Sequence, residues 1–149
     1  MLQVAYLREN QNQVVRLLLK RNFTQAEEAV NEVIVLDQER RNTVQNLESI
    51  QSESNTLSKQ IGLLMREGNQ KVAEEVKART FELKTTAKEL TDKLSGIEQQ
   101  LLDVLYKIPN VPNEKVPPGT SEEHNEIIYE HGSAPTLPVD ALPHWELIK

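Results

Sequence analysis

The sequence predicts an all-α fold. Its main body is a long two-helix antiparallel coiled-coil hairpin, with short N-terminal helices before it and an irregular proline-rich, short-strand segment after it. Three observations carry this expectation. Apolar residues recur in alternating steps of three and four through two long stretches, as a heptad seam requires. A single good turn, "REGNQK" at 66–71, separates those stretches. Four prolines between Pro109 and Pro118 then end the helical pattern, because each removes a backbone donor and fixes φ. Composition agrees. Charged residues make up 27% and aromatics only 4%, which suits an elongated helical assembly better than a thick globular core.

Residues 3–21, "QVAYLRENQNQVVRLLLKR", read as one or two short helices, with Val14, Leu17 and Leu18 at helical spacing. Thr24 followed by Glu27 has the spacing of a capping box, so a new helix is expected to begin there. Its seam runs through Leu36, Leu47, Ile50, Leu57, Ile61 and Leu64, with Arg40, Thr43 and Ser54 at the remaining positions. Gly68-Asn69 supplies a dipeptide that tolerates positive φ at the turn. The return helix carries Val76, Thr80, Leu83, Ala87, Leu90, Leu94, Ile97, Leu101 and Val104 without a slip. The hairpin is expected over about 26–105, with its tip at about 66–71.

A short turn between two heptad helices makes them antiparallel, and a register can be proposed in which facing positions sum to 137. Ile61 faces Val76, Leu57 faces Thr80, Ser54 faces Leu83 and Ile50 faces Ala87. Toward the base, Leu47 faces Leu90, Thr43 faces Leu94, Arg40 faces Ile97 and Leu36 faces Leu101. At 1.5 Å per residue the arm is about 50–60 Å long. Seam hydroxyls at Thr80 and Ser54 are expected to bond a carbonyl one turn back or to loosen packing locally.

The domain reading is a helical arm over 1–107 and a proline-rich linker over 108–149. Within the linker, "EIIYEHG" at 126–132 has the composition of a strand. "SAPTLPVDALPHWELIK" reads as a polar loop ending in Trp145 and Leu147, a lead-in to a further body.

Several function classes are excluded or unsupported. The chain has no cysteine, so it holds neither a disulfide framework nor a thiolate metal site. It has no run of 18 apolar residues, so no membrane span is expected. The N-terminus lacks a basic region followed by an apolar one, so no signal peptide is read and the cytoplasm is the default location. His124 and His131 lack the neighbours of a metal site. His144 beside Trp145 reads as a packing residue between domains. Ser121 has no evident base and orienter, so a nucleophilic triad is unsupported.

Charge is unevenly distributed. Residues 56–88 contain seven bases, Lys59, Arg66, Lys71, Lys77, Arg79, Lys84 and Lys88, against four acids. That segment is therefore +3 and the remainder −9, which together make the chain's −6. Lys59 and Arg66 share one helical stripe, as do Lys77 and Lys84. A locally basic rod on an acidic body can hold a polyanion at its far end. Mixed charge is equally what any coiled coil needs for solubility. With Phe81 as the only aromatic there, an RNA would be read by backbone and shape rather than by base edges.

The chain resembles the N-terminal region of seryl-tRNA synthetases over its whole length. The matching pieces are "LREN" at 7–10, "LDQERR" at 36–41, "NTLSKQIG" at 55–62, "IPNVPNEKVPPGTSEEHNE" at 108–126 and "HWEL" at 144–147. Their order and spacing make the match specific. The family usually has His-Asp where this chain has Asn113 and Glu114, and often "VPVG" where it has Val116-Pro117-Pro118-Gly119. These departures fall in the knuckle and touch only its local turn.

The resemblance implies an arm that projects from a class II catalytic domain. Such an arm packs against the long variable arm and elbow of serine tRNA bound on the other subunit of a homodimer. Serine, ATP and magnesium would be bound by that catalytic domain. This chain is expected to hold no catalytic residue, no metal and no cofactor of its own, and to be inactive alone. No DNA and no membrane partner is implied. Asn55, Ser58 and Lys59 are tRNA-binding candidates by position in "NTLSKQIG". Arg66, Lys71, Lys77, Arg79, Lys84 and Lys88 are candidates from charge alone. Arg40 and Arg41 match a family motif, with an ion pair to Asp37 or to acids of the return helix as the competing reading. The alternative function is a coiled-coil scaffold that binds only protein, which would need neither the distal basic excess, nor the proline knuckle, nor "HWEL". An autonomous enzyme is not supported, since no acid–base cluster or second domain is present.

Overall fold

A computed structural model describes residues 2–133 and 135–147. Among the described residues four α-helices occur in order: α1 (Val4–Glu9), α2 (Gln11–Lys20), α3 (Ala26–Arg66) and α4 (Gln70–Lys107). A single 3-10 turn follows at Glu122–His124. The long helices α3 and α4 pack against each other along their length as the expected hairpin, and α1 and α2 dock against α3 at its base.

Two turns of the same type shape the chain. At the end of α2, Asn22 takes φ 60, its N–H donates to the Leu19 carbonyl, and the Phe23 N–H donates to Leu18. At the end of α3, Gly68 takes φ 80, its N–H donates to Met65, and the Asn69 N–H donates to Leu64. Both are Schellman closures, which satisfy carbonyls that a helix end leaves open. At the tip it is Gly68 that supplies positive φ, while Asn69 sits at φ −82. Gly has no Cβ to clash in that region, so it is the residue that lets the chain reverse here.

The seam lies in the expected register. All of its positions are buried or half-buried, while most of their neighbours are exposed. Two ion pairs cross from α3 to α4, Glu53 with Arg79 at 3.3 Å and Glu39 with Lys93 at 2.8 Å. Passing from the first to the second is a step of two heptads toward the base on both helices, so one register holds throughout. Thr80 Oγ1 donates to the Val76 carbonyl at 2.8 Å and Thr43 Oγ1 to Glu39 at 2.8 Å. These bonds satisfy the buried hydroxyls locally. Ser54 instead offers its carbonyl to Ser58 Oγ at 2.7 Å.

The dense core sits at the base. Leu7, Val14 and Leu18 of the short helices share one buried cluster with Val30, Val33 and Leu36 of α3 and Leu101, Val104 and Leu105 of α4. A third layer is what makes complete burial possible there, since two helices alone cover only one stripe of each other. Beside this core lies Asp37, 1% exposed. Its carboxylate accepts from Arg8 Nη1 at 2.9 Å and Arg40 Nη2 at 3.0 Å, and Arg41 Nε forms an ion pair with it at 3.1 Å. Burial by itself would raise the Asp37 pKa. Hydrogen bonds from Arg40 and Arg8, with the charges of Arg40 and Arg41, outweigh it and hold the carboxyl below its usual value. Thus "LREN" and "LDQERR" meet in space, and the ion-pair reading of Arg40 and Arg41 is the one observed.

After α4 the chain turns out of the helix at Ile108, which precedes Pro109 and takes an extended conformation. Ile108 is buried and Val111 packs on the core. The next residues are clamped by α2. Gln13 and Arg16 both donate to Glu114 Oε1 at 3.1 Å, Lys20 donates to the Glu114 carbonyl at 2.8 Å, and Arg21 donates to the Asn110 carbonyl at 2.8 Å. Asn113 Oδ1 accepts the Lys115 N–H at 3.0 Å, closing a local turn. The knuckle residues that depart from the family pattern therefore make the turn and its clamp.

Two expectations are corrected. Thr24 does not cap α3: the N-cap is Gln25 and no side chain bonds there. The N–H of Ala26 is instead met by the Phe23 carbonyl of the preceding turn, leaving the hydroxyl no such role. The "EIIYEHG" stretch is not a strand. No strand occurs among the described residues, and a strand needs a partner for its backbone groups. Ile127, Ile128 and Tyr129 stay exposed, as do Trp145 and Leu147. Ala134, Ile148 and Lys149 of the polar tail lie outside the described residues.

Asp37→Asn keeps the shape and removes the charge, so it is expected to cost about 2 kcal/mol, the scale of hydrogen bonds to a charged group. Because the folded pKa is the lower one, Asp37's contribution is complete above about pH 3.9, the ordinary Asp value. It is lost as pH falls from there through the lowered folded value. Acid unfolding followed by circular dichroism should therefore show a smaller loss below pH 4 in the variant than in the parent. Equal acid limbs would contradict this account. The thin tip predicts a second outcome: amides at 64–72 exchange faster than those around Leu94, and the reverse order would contradict it.

Candidate nucleic-acid interface

The candidate residues all lie on α3 or α4, and all are exposed. The heptad decides which way each side chain points. Residues one position outside the seam fall on one or the other broad face of the hairpin, and those farthest from it fall on the outer edges.

One broad face carries Asn55 and Ser58 from α3 with Lys77, Lys84 and Lys88 from α4. Two shallow hollows on this face show the juxtaposition. Ser58, Ile61, Lys77, Thr80, Phe81 and Lys84 line the one nearer the tip. Gln51, Ser54, Asn55, Leu83, Lys84 and Ala87 line the next, so Lys84 stands between them. Neither hollow is lined by a carboxylate. Lys77 holds Glu74 at 2.6 Å, an exposed pair within one helix. Lys84 and Lys88 are in no ion pair among the described residues.

The opposite face has the other sign. Arg79 points there, and its charge is shared between Glu53 at 3.3 Å and Glu82 at 3.4 Å. Glu75, Glu82 and Glu89 follow one another at heptad spacing on the same side. Lys59 and Arg66 stand on the outer edge of α3 and Lys71 on the outer edge of α4. The structure thus brings five candidates together, sets three on the edges and places Arg79 across the rod from them. Counting charge along the chain did not separate these groups. Sorting the same residues by heptad position would have done so.

Among the described residues the remaining polar groups form no further cluster of metal-holding side chains. Ser121 Oγ does meet a ring nitrogen, His124 Nδ1 at 3.0 Å, which corrects the expectation that no base stands near it. The pair is exposed and no carboxylate orients the imidazole among the described residues, so it secures the 3-10 turn. His144 and Trp145 stack edge to face at 4.9 Å on the exposed tail. No group of three or more His, Asp or Glu able to hold a metal occurs among the described residues. No described helix is long and apolar enough to cross a membrane.

A long two-helix hairpin with one basic face, joined through a clamped knuckle to an exposed tail, belongs to the class of antiparallel coiled-coil arms. The family is then identified by sequence. The seryl-tRNA synthetase N-terminal domain matches residues 1–112, and the chain belongs to that family. Serine–tRNA ligase of Sinorhizobium fredii is 37% identical over 147 residues, covering 99% of this chain and 34% of the relative. The serine–tRNA ligase of Desulfitobacterium hafniense is 34% identical over the same share of each. Among solved structures, seryl-tRNA synthetase from Pyrococcus horikoshii complexed with ATP superposes with a TM-score of 0.75 at 26% identity. It covers 83% of this chain and 27% of its own. The chain thus spans about a third of the length of the curated relatives it matches.

Arg79→Ala removes only exposed ion pairs, so it is expected to cost no more than the ~0–1 kcal/mol usual for such pairs. Thermal melting checks this, and a larger loss would mean that the acidic face clamps the hairpin.

Proposed function

We propose that this chain is the tRNA-binding arm of a serine–tRNA ligase and reads the long variable arm of serine tRNA by shape and backbone contacts. The observation that carries the proposal is the acid-poor face of Asn55, Ser58, Lys77, Lys84 and Lys88 on a stiff rod whose other face is acidic. A polyanion is attracted to one side and repelled from the other, so the rod has an orientation on its partner. A-form RNA is recognised mainly through shape, phosphates and 2′-hydroxyls, which suits lysines and small polar groups. Lys59, Arg66 and Lys71 on the outer edges add long-range attraction, and Arg79 is assigned no contact.

In this reading residues 1–107 are the arm and 108–149 lead into a class II catalytic body in the cytoplasm. That body would act as a homodimer and join serine to the tRNA 3′ end using ATP and magnesium. The residues of the arm are assigned no chemical step. Their part is to hold the tRNA so that its 3′ end meets the catalytic site, a positioning contribution.

The chain is expected to bind a serine tRNA more tightly than a tRNA with a short variable loop, with affinity falling steeply as salt rises. Lys84→Ala and Lys88→Ala should each weaken binding and lower the salt slope by about one, while Arg79→Ala should leave the slope unchanged. Equal affinity for both tRNAs, or an effect of Arg79 equal to that of Lys84, would contradict the proposal.

A further inference from the structure

The basic face also carries an aromatic side chain that the seam does not use. Phe81 is 72% exposed. Phe is a weaker helix former than Lys, Glu or Ala, so neither helix propensity nor core packing asks for it there. Isolated exposed apolar residues are common on protein surfaces, and Leu63, Met65 and Val72 near the tip are such cases. Phe81 differs in its setting. Lys77 lies one turn before it and Lys84 one turn after it, and all three border the same hollow with Ser58 and Thr80. No carboxylate lines that hollow. Glu74 holds Lys77 from outside it in an exposed ion pair of the weak kind.

A flat π surface between two ammonium groups fits a ligand that is flat in the middle and anionic on both sides, which is a nucleotide within a strand. Lys77 and Lys84 are about 10 Å apart along the helix axis, and their long stems let both heads reach toward the ring. Stacking on an aromatic is sequence-tolerant, because every base has a π face. It is therefore compatible with recognition by shape. A base inside a duplex has both faces covered, so the occupant must be unpaired or at the end of a stem.

We propose that Phe81 is a stacking platform for an exposed nucleobase of the bound RNA, with Lys77 and Lys84 holding the phosphates on either side. This rests on the tRNA-binding reading above and assigns it a contact of a different kind, one that salt does not weaken.

The test uses the 149-residue chain with Phe81→Ala, Phe81→Leu and Phe81→Trp, titrated with a serine tRNA at several salt concentrations. The tryptophan variant is made with Trp145→Phe, so that position 81 holds the one indole. Phe81→Ala and Phe81→Leu should bind at least about fivefold more weakly, the low end of one lost base stack, with an unchanged salt slope. Leucine keeps apolar bulk and helix propensity, so its loss of binding would report the aromatic ring and not folding. The tryptophan variant should bind like the parent, and its fluorescence should be quenched by the tRNA. If the parent binds and all three variants bind equally without quenching, the stacking proposal fails and the tRNA reading stands. If the parent does not bind, both fail. If the parent self-associates in sedimentation and Phe81→Ala does not, the ring is a protein contact and the proposal is overturned.

Discussion

The antiparallel heptad seam between α3 and α4 is the constraint on which the rest of the structure depends. Two helices alone can bury only one stripe each, so the rod has no interior apart from that seam. Its distal layers, such as Ile61 with Val76, are accordingly only partly covered. Complete burial appears where α1 and α2 add a third layer around Leu7, Val14 and Leu18. The arm is thus anchored at one end and marginal at the other. The Asp37 cluster fastens that anchor by joining Arg8 of α1 to the arginines of α3. The α2 contacts to Glu114 carry the same fastening on to the linker.

The thinness of the rod has an electrostatic consequence. In a globular domain opposite faces are separated by a core, and charges mix over a closed surface. Here the seam divides the side chains of each helix into two broad faces and an outer edge. A heptad sequence can therefore write a different charge on each. The chain has done so, with Lys77, Lys84 and Lys88 on one face and Glu53, Glu75 and Glu82 on the other. A net balance of −6 conceals this, because the relevant quantity is charge per face within reach of a polyanion, not charge per chain.

How much of this was legible in the sequence follows from the range of each interaction. The seam was legible because the three-four period marks which residues of each helix face the other, and the short turn at Gly68 limits the slide between them. The tip was legible because Gly68 is the one residue there that takes positive φ without strain. The cap at Thr24 and the strand at 126–132 were misread for one reason: each depends on a partner that local sequence does not name. The Phe23 carbonyl took the role assigned to Thr24, and "EIIYEHG" has no neighbouring strand among the described residues. The Asp37 cluster was half legible, since Arg40 and Arg41 lie within one turn but Arg8 arrives from another helix. The basic face was present in the sequence but hidden by reading charge along the chain.

The most direct test of the account is a lysine-labelling footprint of the arm with and without bound serine tRNA. The account predicts strong protection of Lys84 and Lys88 and unchanged reactivity of Lys93, which points across the rod toward Glu39. Lys59 and Lys71 on the outer edges should be protected only partly. Equal protection of Lys93 and Lys84, or protection of Lys93 alone, would contradict the claim that one face of the hairpin meets the RNA.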